Sequence, residues 1–112
     1  MTLREKQSLF VLLVGDLIAF AAEEGYDLTF GEAYRSPEEA ARLAALGKGI
    51  RNSLHTVRLA IDFNLFKDGT YLTSSDAYRP LGEWWETHHP LCRWGGRFND
   101  GNHFSLEHEG RK

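Results

Sequence analysis

Cysteine is nearly absent from this chain of 112 residues, which contains only Cys92. A single cysteine excludes an internal disulfide and a zinc site built from several thiolates, and it is compatible with a reducing compartment. No apolar run is long enough to span a bilayer as a helix. The net charge is −3 with acids and bases interspersed, so no basic stripe indicates a nucleic-acid partner. The length predicts one domain with a single core, residues 1–112, which we expect to be a monomer.

The N-terminal segment imitates a short signal peptide, because Arg4 and Lys6 precede an apolar run at residues 9–14. Asp16 interrupts that pattern. We interpret the segment as a buried amphipathic helix, since its removal would take away much of the core of so small a domain. We therefore expect the chain to be made in the cytoplasm without a signal peptide.

The most informative stretch presents His55 and Asp62 where the sequence becomes apolar and alternating. The alternation predicts a strand with Asp62 on the polar face. The opposite, apolar face is formed by Leu59, Ile61, Phe63 and Leu65. A second histidine, His103, follows a glycine-rich turn. Two histidines and an aspartate can form an open zinc site, in which three protein ligands leave a fourth position for water. On spacing alone, a hydrogen-bonded His–Asp pair without metal remains the alternative.

These residues also fit a longer motif. The pattern Ser-x-His-x-x-Gly-x-Ala-x-Asp, followed by an acid, two residues and His, is matched by Ser53, His55, Ala60, Asp62, Asp100 and His103. The chain thereby resembles the zinc peptidases of the M15 family, which include D-alanyl-D-alanine carboxypeptidases and dipeptidases and phage L-alanyl-D-glutamate endolysins. The resemblance extends from about Tyr34 to Phe104. Arg58 departs from it, because the family usually has glycine there, and a glycine would indicate a special backbone angle.

The resemblance implies a metal and a general base. Asp100 would take a proton from water whose pKa zinc lowers toward about 7, and would later give it to the leaving amine. The expected ligands of Zn²⁺ are His55, Asp62 and His103. A plain turn is the other reading of the segment around Asp100, and both can hold together. Glu107 and Glu109 are the alternatives for the base.

The segment Tyr34-Arg35-Ser36 matches a further part of the family pattern. In the family this arginine polarises the scissile carbonyl, so the resemblance implies that Arg35 stabilises the oxyanion. A guanidinium suits that role because it cannot lose its charge. Tyr34 and Ser53 are the expected substrate contacts. The other histidines, His88, His89 and His108, are not expected to bind metal, since a helix end and a polar tail explain them.

Local signals predict the elements around this site. Helices are expected over residues 2–24, 37–46 and 77–88, and a strand over residues 26–34. Gly25 ends the first helix, Ser36 caps the second, and Ser75 or Asp76 caps the third. The pair Asp68-Gly69 predicts a type I′ hairpin. The fold expected from these elements and the resemblance is α+β, with helices packed on one side of a small antiparallel sheet, of the hedgehog/DD-peptidase type. The metal would lie at the open face of the sheet.

The function implied by the resemblance is hydrolysis of a peptide bond in the stem of bacterial peptidoglycan. We favour an L-alanyl-D-glutamate endopeptidase, because the compact chain is similar to phage lytic enzymes, which reach the wall only after the membrane is breached. A D-alanyl-D-alanine carboxypeptidase is the alternative, and it would need a second cation for the terminal carboxylate, for which Arg51 and Arg58 are candidates. Two other classes stay open, namely a domain that binds peptidoglycan or a phage partner without cutting, and a regulatory metal-binding protein.

Overall fold

The computed structural model describes residues 1–112 and contains three α-helices and five β-strands. In chain order these are α1 (Leu3–Glu23), β1 (Asp27–Phe30), α2 (Pro37–Ala45), β2 (Ala60–Lys67), β3 (Thr70–Leu72), α3 (Arg79–His88), β4 (Cys92–Trp94) and β5 (His103–Leu106). No helix combines the length and apolarity that crossing a membrane requires. The architecture is the predicted α+β class.

The strands form one antiparallel sheet around β2. The order is β1-β2-β5-β4, and β3 pairs with β2 through a hairpin. At the hairpin turn Asp68 has φ 50° and Gly69 has φ 78°, and two positive φ angles are the type I′ geometry that Asp-Gly favours. Between β2 and β5 the register places Asp62 directly opposite His103.

The two faces of the sheet differ in polarity, as the alternation along β2 predicted. One face is apolar and packs against α1 and α3, where the Trp85 ring lies 6.0 Å from the Phe10 ring and 6.2 Å from the Phe104 ring. The sheet residues of this buried face include Ile61, Phe63, Leu65, Phe104 and Leu106. The other face carries Asp62 and His103. The helices therefore hold the sheet from behind and leave the polar face for chemistry.

Helix α1 is part of this core, as predicted. It begins with a capping box, in which the Thr2 hydroxyl accepts from the Glu5 N–H and the Glu5 carboxylate accepts from the Thr2 N–H. Its buried residues are Phe10, Leu13, Val14, Leu17 and Ala21. At the other end Gly25 adopts φ 84°, which ends the helix where the sequence predicted.

Two predicted boundaries were wrong. The strand that was expected to reach Tyr34 ends at Phe30. Gly31 and Glu32 still form backbone hydrogen bonds with Asp62 on β2, and the chain then passes to His55, whose carbonyl oxygen accepts from the Arg35 N–H. Helix α3 begins at Arg79, after a 3₁₀ turn that Ser74 caps by accepting from the Ala77 N–H. The predicted cap Ser75 instead accepts a hydrogen bond from the Gly101 N–H at 2.9 Å, in the loop before His103.

The glycine in α3 gives a test of this packing. A Cβ at Gly82 would lie 2.0 Å from the Trp94 ring, so Gly82→Ala should lower the free energy of unfolding by about 1–3 kcal/mol through overpacking. Gly15→Ala in α1 is the matched control, because nothing lies within 4 Å of the added Cβ, and it should stabilise by about 0.5–1 kcal/mol. Urea unfolding of both variants measures the difference. Equal stabilities would contradict the contact between α3 and Trp94.

Candidate metal centre

Three side chains of the expected ligand set meet on the open face of the sheet. One ligand atom each from His55, Asp62 and His103 lies within 4.8 Å of the others. Nε2 of His55 and Nδ1 of His103 are each 3.3 Å from Oδ1 of Asp62. Both histidines are buried, at 3% and 6% relative exposure. The structure therefore brings together residues that are separated by up to 48 positions in the sequence.

Local backbone structure fixes the orientation of His55. A 3₁₀ turn over Leu54–Val57 carries it, and the Ser53 hydroxyl accepts from the His55 N–H at 3.2 Å. The ring donates from Nδ1 to the carbonyl oxygen of Ala33 at 3.1 Å, since a carbonyl can only accept. In the neutral imidazole Nε2 then carries a lone pair, and it faces the Asp62 carboxylate.

The arrangement fits a cation. A lone pair on His55 Nε2 and a carboxylate oxygen at 3.3 Å repel each other unless a positive charge lies between them. Asp62 Oδ1 is buried and accepts no hydrogen bond, which is costly without a partner. Ligand atoms about 2.0–2.1 Å from a tetrahedral zinc ion lie about 3.3–3.4 Å apart, as both of these pairs do. Imidazole and carboxylate ligands are the donor set of an open zinc site.

The titration of these groups reflects the same proximity. Burial alone would raise the pKa of Asp62, but the two imidazoles beside it outweigh burial and lower that pKa to about 2. Burial alone would lower the pKa of His55, and the Asp62 carboxylate outweighs it and raises that pKa above its usual value. Asp62 is therefore a permanent anion at neutral pH.

Asp100 lies beside this centre on a tightly folded loop. Its Oδ2 is 4.0 Å from Nδ1 of His103, and its side chain is 53% exposed. A Cβ at Gly95 would lie 2.2 Å from the Asp100 carbonyl oxygen, so only glycine fits where the loop turns back on itself. Burial raises the pKa of Asp100, His103 opposes this, and Asp62 adds to the rise. The alternative bases lie elsewhere, since Glu107 is 3.4 Å from Arg93 and Glu109 is 3.8 Å from Arg111.

Arg35 is held by Glu32, a residue that the sequence analysis missed. The Arg35 guanidinium forms an ion pair with the Glu32 carboxylate, and the same carboxylate oxygen is 4.0 Å from His55 Nδ1. The Arg35 N–H also donates to the His55 carbonyl oxygen at 3.2 Å. An acid three residues before the arginine was the available signal, although in an extended segment that spacing does not imply contact.

A cleft of about 390 Å³ opens over the centre, and we call it the polar cleft. Arg35, Ser53 and Asp100 line it together with the three metal-binding candidates. Tyr34 does not line it. Neighbouring residues of an extended segment point to opposite sides, so Tyr34 lies in an apolar groove of about 500 Å³ against α1. Ser53 is at the cleft, whereas a substrate contact from Tyr34 stays a prediction that would need the substrate to reach beyond the polar cleft.

The conformation of Arg58 shows how an arginine is accommodated where the family usually has glycine. It adopts φ 57° and ψ 37°, the left-handed conformation that glycine favours, so the backbone angle indicated by the motif is present although the side chain is not glycine. Its guanidinium lies 4.0 Å from the centroid of the Tyr34 ring, in the apolar groove. The substitution thus leaves the polar cleft unchanged.

The remaining histidines lie away from the metal centre. His88 Nε2 is 2.8 Å from Asp16 on α1, and His108 Nδ1 is 3.0 Å from the Lys6 ammonium. His89 accepts at Nδ1 from the Leu91 N–H at 3.0 Å. Each therefore has a structural partner of its own.

A family model described as D-alanyl-D-alanine carboxypeptidase, from the M15 peptidases, matches residues 47–106. The chain belongs to the M15 peptidase family. The match spans His55, Asp62, Asp100 and His103, and Arg35 precedes it. M15 members are zinc-dependent metallopeptidases, in agreement with the donor set found here. No curated protein matches the chain.

Solved structures of other peptidases have a similar fold. The L-Ala D-Glu endopeptidase ChiX of Serratia marcescens has a TM-score of 0.68 and 22% sequence identity, over 85% of this chain and 77% of that one. The vancomycin resistance D,D-pentapeptidase VanY from a VanB-type cassette, in complex with Zn(II), has a TM-score of 0.57 and 20% identity, over 87% of this chain and 70% of that one. At these identities the likeness establishes the fold of this M15 chain.

The ligand assignment is tested by zinc content. His55→Ala and His103→Ala should each lose zinc and hydrolytic activity, because two ligands do not hold the ion. His88→Ala should keep both, since its partner is Asp16. Metal analysis of the purified variants gives the answer, and loss of zinc from His88→Ala with retention in His103→Ala would show the site to be misassigned.

The same site should release zinc in acid. Histidine must be neutral to bind, so zinc should leave as pH falls below about 6.5, and at lower pH the more tightly it is held. Asp62, with a pKa of about 2, stays ionised throughout this range, and protonation of imidazole sets the release.

Proposed function

We propose that this M15 peptidase hydrolyses the peptide stem of bacterial peptidoglycan, at the bond between L-alanine and D-glutamate. The observation that carries the proposal is the convergence of His55, Asp62 and His103, with Asp100 4.0 Å from His103, in one open cleft. The names of the similar structures support the substrate class, since one is an L-Ala D-Glu endopeptidase and the other a D,D-pentapeptidase.

In the proposed mechanism His55, Asp62 and His103 hold zinc, which when bound would supply Lewis acidity and a water of lowered pKa. Asp100 accepts the proton of the attacking water and later donates it to the nitrogen of the leaving amine. Its partial burial beside Asp62 favours this exchange, because a raised pKa makes it a better proton acceptor. The acid and base steps thus use one carboxylate.

Arg35 would stabilise the negative charge that develops on the carbonyl oxygen. Glu32 accepts from one terminal nitrogen of the guanidinium, and the other terminal nitrogen forms no ion pair in the structure. A guanidinium already in position needs no reorganisation as the charge develops. Ser53, at the wall of the cleft, is a proposed substrate contact, although its hydroxyl also accepts from the His55 N–H.

The choice between the two bonds depends on which groups of the cleft could bind the terminal carboxylate of a substrate. The cations named from the sequence, Arg51 and Arg58, do not line the polar cleft, and Arg58 stacks on Tyr34 instead. The cleft therefore lacks both of these arginines, although two lysines, Lys48 and Lys112, line it. We favour the endopeptidase because one of the similar structures is an L-Ala D-Glu endopeptidase, and we further propose that the protein acts on the wall after release from the cytoplasm, as phage endolysins do.

The proposed base is tested by Asp100→Asn, which removes the proton acceptor and no zinc ligand. The variant should bind zinc as the parent does and turn over at least about 100-fold more slowly. Arg35→Lys should behave similarly, since a point charge replaces a planar fork. Asp68→Asn is the control, because it lies in the hairpin turn, where Asn-Gly is equally favoured. Near-normal turnover of Asp100→Asn would show that another group is the base.

The proposed bond is tested with a synthetic stem pentapeptide and mass analysis of the products. An endopeptidase should release a fragment with a new N-terminal D-glutamate, and chelation of zinc should abolish the reaction. Free D-alanine with an intact L-alanyl-D-glutamate bond would establish the carboxypeptidase alternative. Absence of any cleavage by the zinc-loaded protein, with binding of peptidoglycan retained, would establish a non-catalytic binding domain.

A further inference from the structure

Two lysines in the polar cleft have no assigned role. Lys48 and Lys112 both line it, and neither forms an ion pair in the structure. The third cation of the cleft, Arg35, is already paired with Glu32. The carboxylates of the cleft are Asp62 and Asp100, and Asp62 lies between two histidines. The cleft therefore offers two free ammonium groups to an anionic ligand.

The loop at residues 47–52 places Lys48 at the wall of the polar cleft, next to Gly49. It packs against the Arg35 guanidinium so tightly that a Cβ at Gly49 would lie 3.3 Å from an Arg35 terminal nitrogen. Lys48 is therefore the sequence neighbour of a residue, Gly49, that packs against Arg35, the group proposed to polarise the carbonyl. The segment before Lys112 is tied to the same loop, because Arg111 donates to the Asn52 carbonyl oxygen at 2.8 Å.

We propose that Lys48 and Lys112 form an anion subsite for the free α-carboxylate of the residue that follows the cut. This rests on the proposed function. When D-glutamate is extended through its γ-carboxyl, as in a stem peptide, its α-carboxylate stays free and lies next to the scissile amide. A mobile ammonium can reach such a group and form a charge-assisted hydrogen bond.

The rest of the cleft wall suits the residue before the cut. Ile50 and Phe98, from two separate segments, line the cleft and are 62% and 50% exposed. Large apolar side chains so exposed in a cleft with many polar residues can contact a small methyl group. The pairing of apolar and cationic walls matches an alanine followed by an acidic residue.

The experiment compares two stem peptides that differ only in this carboxylate, one with D-glutamate and one with D-isoglutamine, its α-amide. The zinc-loaded protein should cleave the first at least about tenfold better in kcat/KM, and the preference should weaken as ionic strength rises. Lys48→Gln should reduce the preference, and Lys48→Gln with Lys112→Gln should bring the ratio close to one. The loss should arise from slower cleavage of the acidic peptide, with the amide little affected.

Arg51→Gln is the matched control, because Arg51 lies on the same loop but does not line the cleft. It should keep the preference, which separates direct contact from the general field of the loop. Equal cleavage of both peptides by the parent protein, or an unchanged preference in the double lysine variant, would overturn the subsite and leave the proposed function standing. Cleavage of neither peptide at the L-alanyl bond would overturn both.

Discussion

The structure depends on the register between β2 and β5, which places Asp62 opposite His103. A strand has a period of two, so a slip of one residue would turn Asp62 into the core and Ile61 out to solvent. The packing of Ile61 and Phe104 against the helices therefore fixes the metal centre at the same time. Packing of the hydrophobic core thus sets the register, and the register sets the positions of the two ligands. The helices behind the sheet affect the metal centre in this indirect way.

A second constraint comes from the segment 31–35, which leaves the edge of the sheet without losing contact with the site. The Gly31 N–H donates to the Asp62 carbonyl oxygen and the Glu32 carbonyl oxygen accepts from the Asp62 N–H, both at 2.8 Å. The next residue accepts from the His55 ring, and Arg35 donates to the His55 backbone. The segment 31–35 thus contacts two metal-binding candidates and carries the arginine, so one stretch of backbone sets the relative positions of all three groups.

Features set by local chemistry were predictable from the sequence. The alternation of β2 and the Asp-Gly hairpin each follow from a few neighbouring residues, whereas the glycine-like backbone angle at Arg58 was indicated only by the glycine of the family motif. The use of Ser75 was not predictable, because its hydroxyl accepts from Gly101, 26 positions away. The side to which Tyr34 points could not be predicted either, because the motif gives the spacing of residues but not the position at which an extended segment leaves the sheet. Long-range contacts decide both cases.

The two carboxylates beside His103 occupy environments that separate their roles. Asp62 lies between two imidazoles, which lower its pKa to about 2 despite burial, and it is therefore an anion at neutral pH. Asp100 is partly buried, and burial together with the charge of Asp62 raises its pKa. A group with a lowered pKa is a poor proton carrier and a good ligand, whereas a raised pKa favours a group that must take and return a proton. The permanent charge of Asp62 thus supports the proposed work of Asp100.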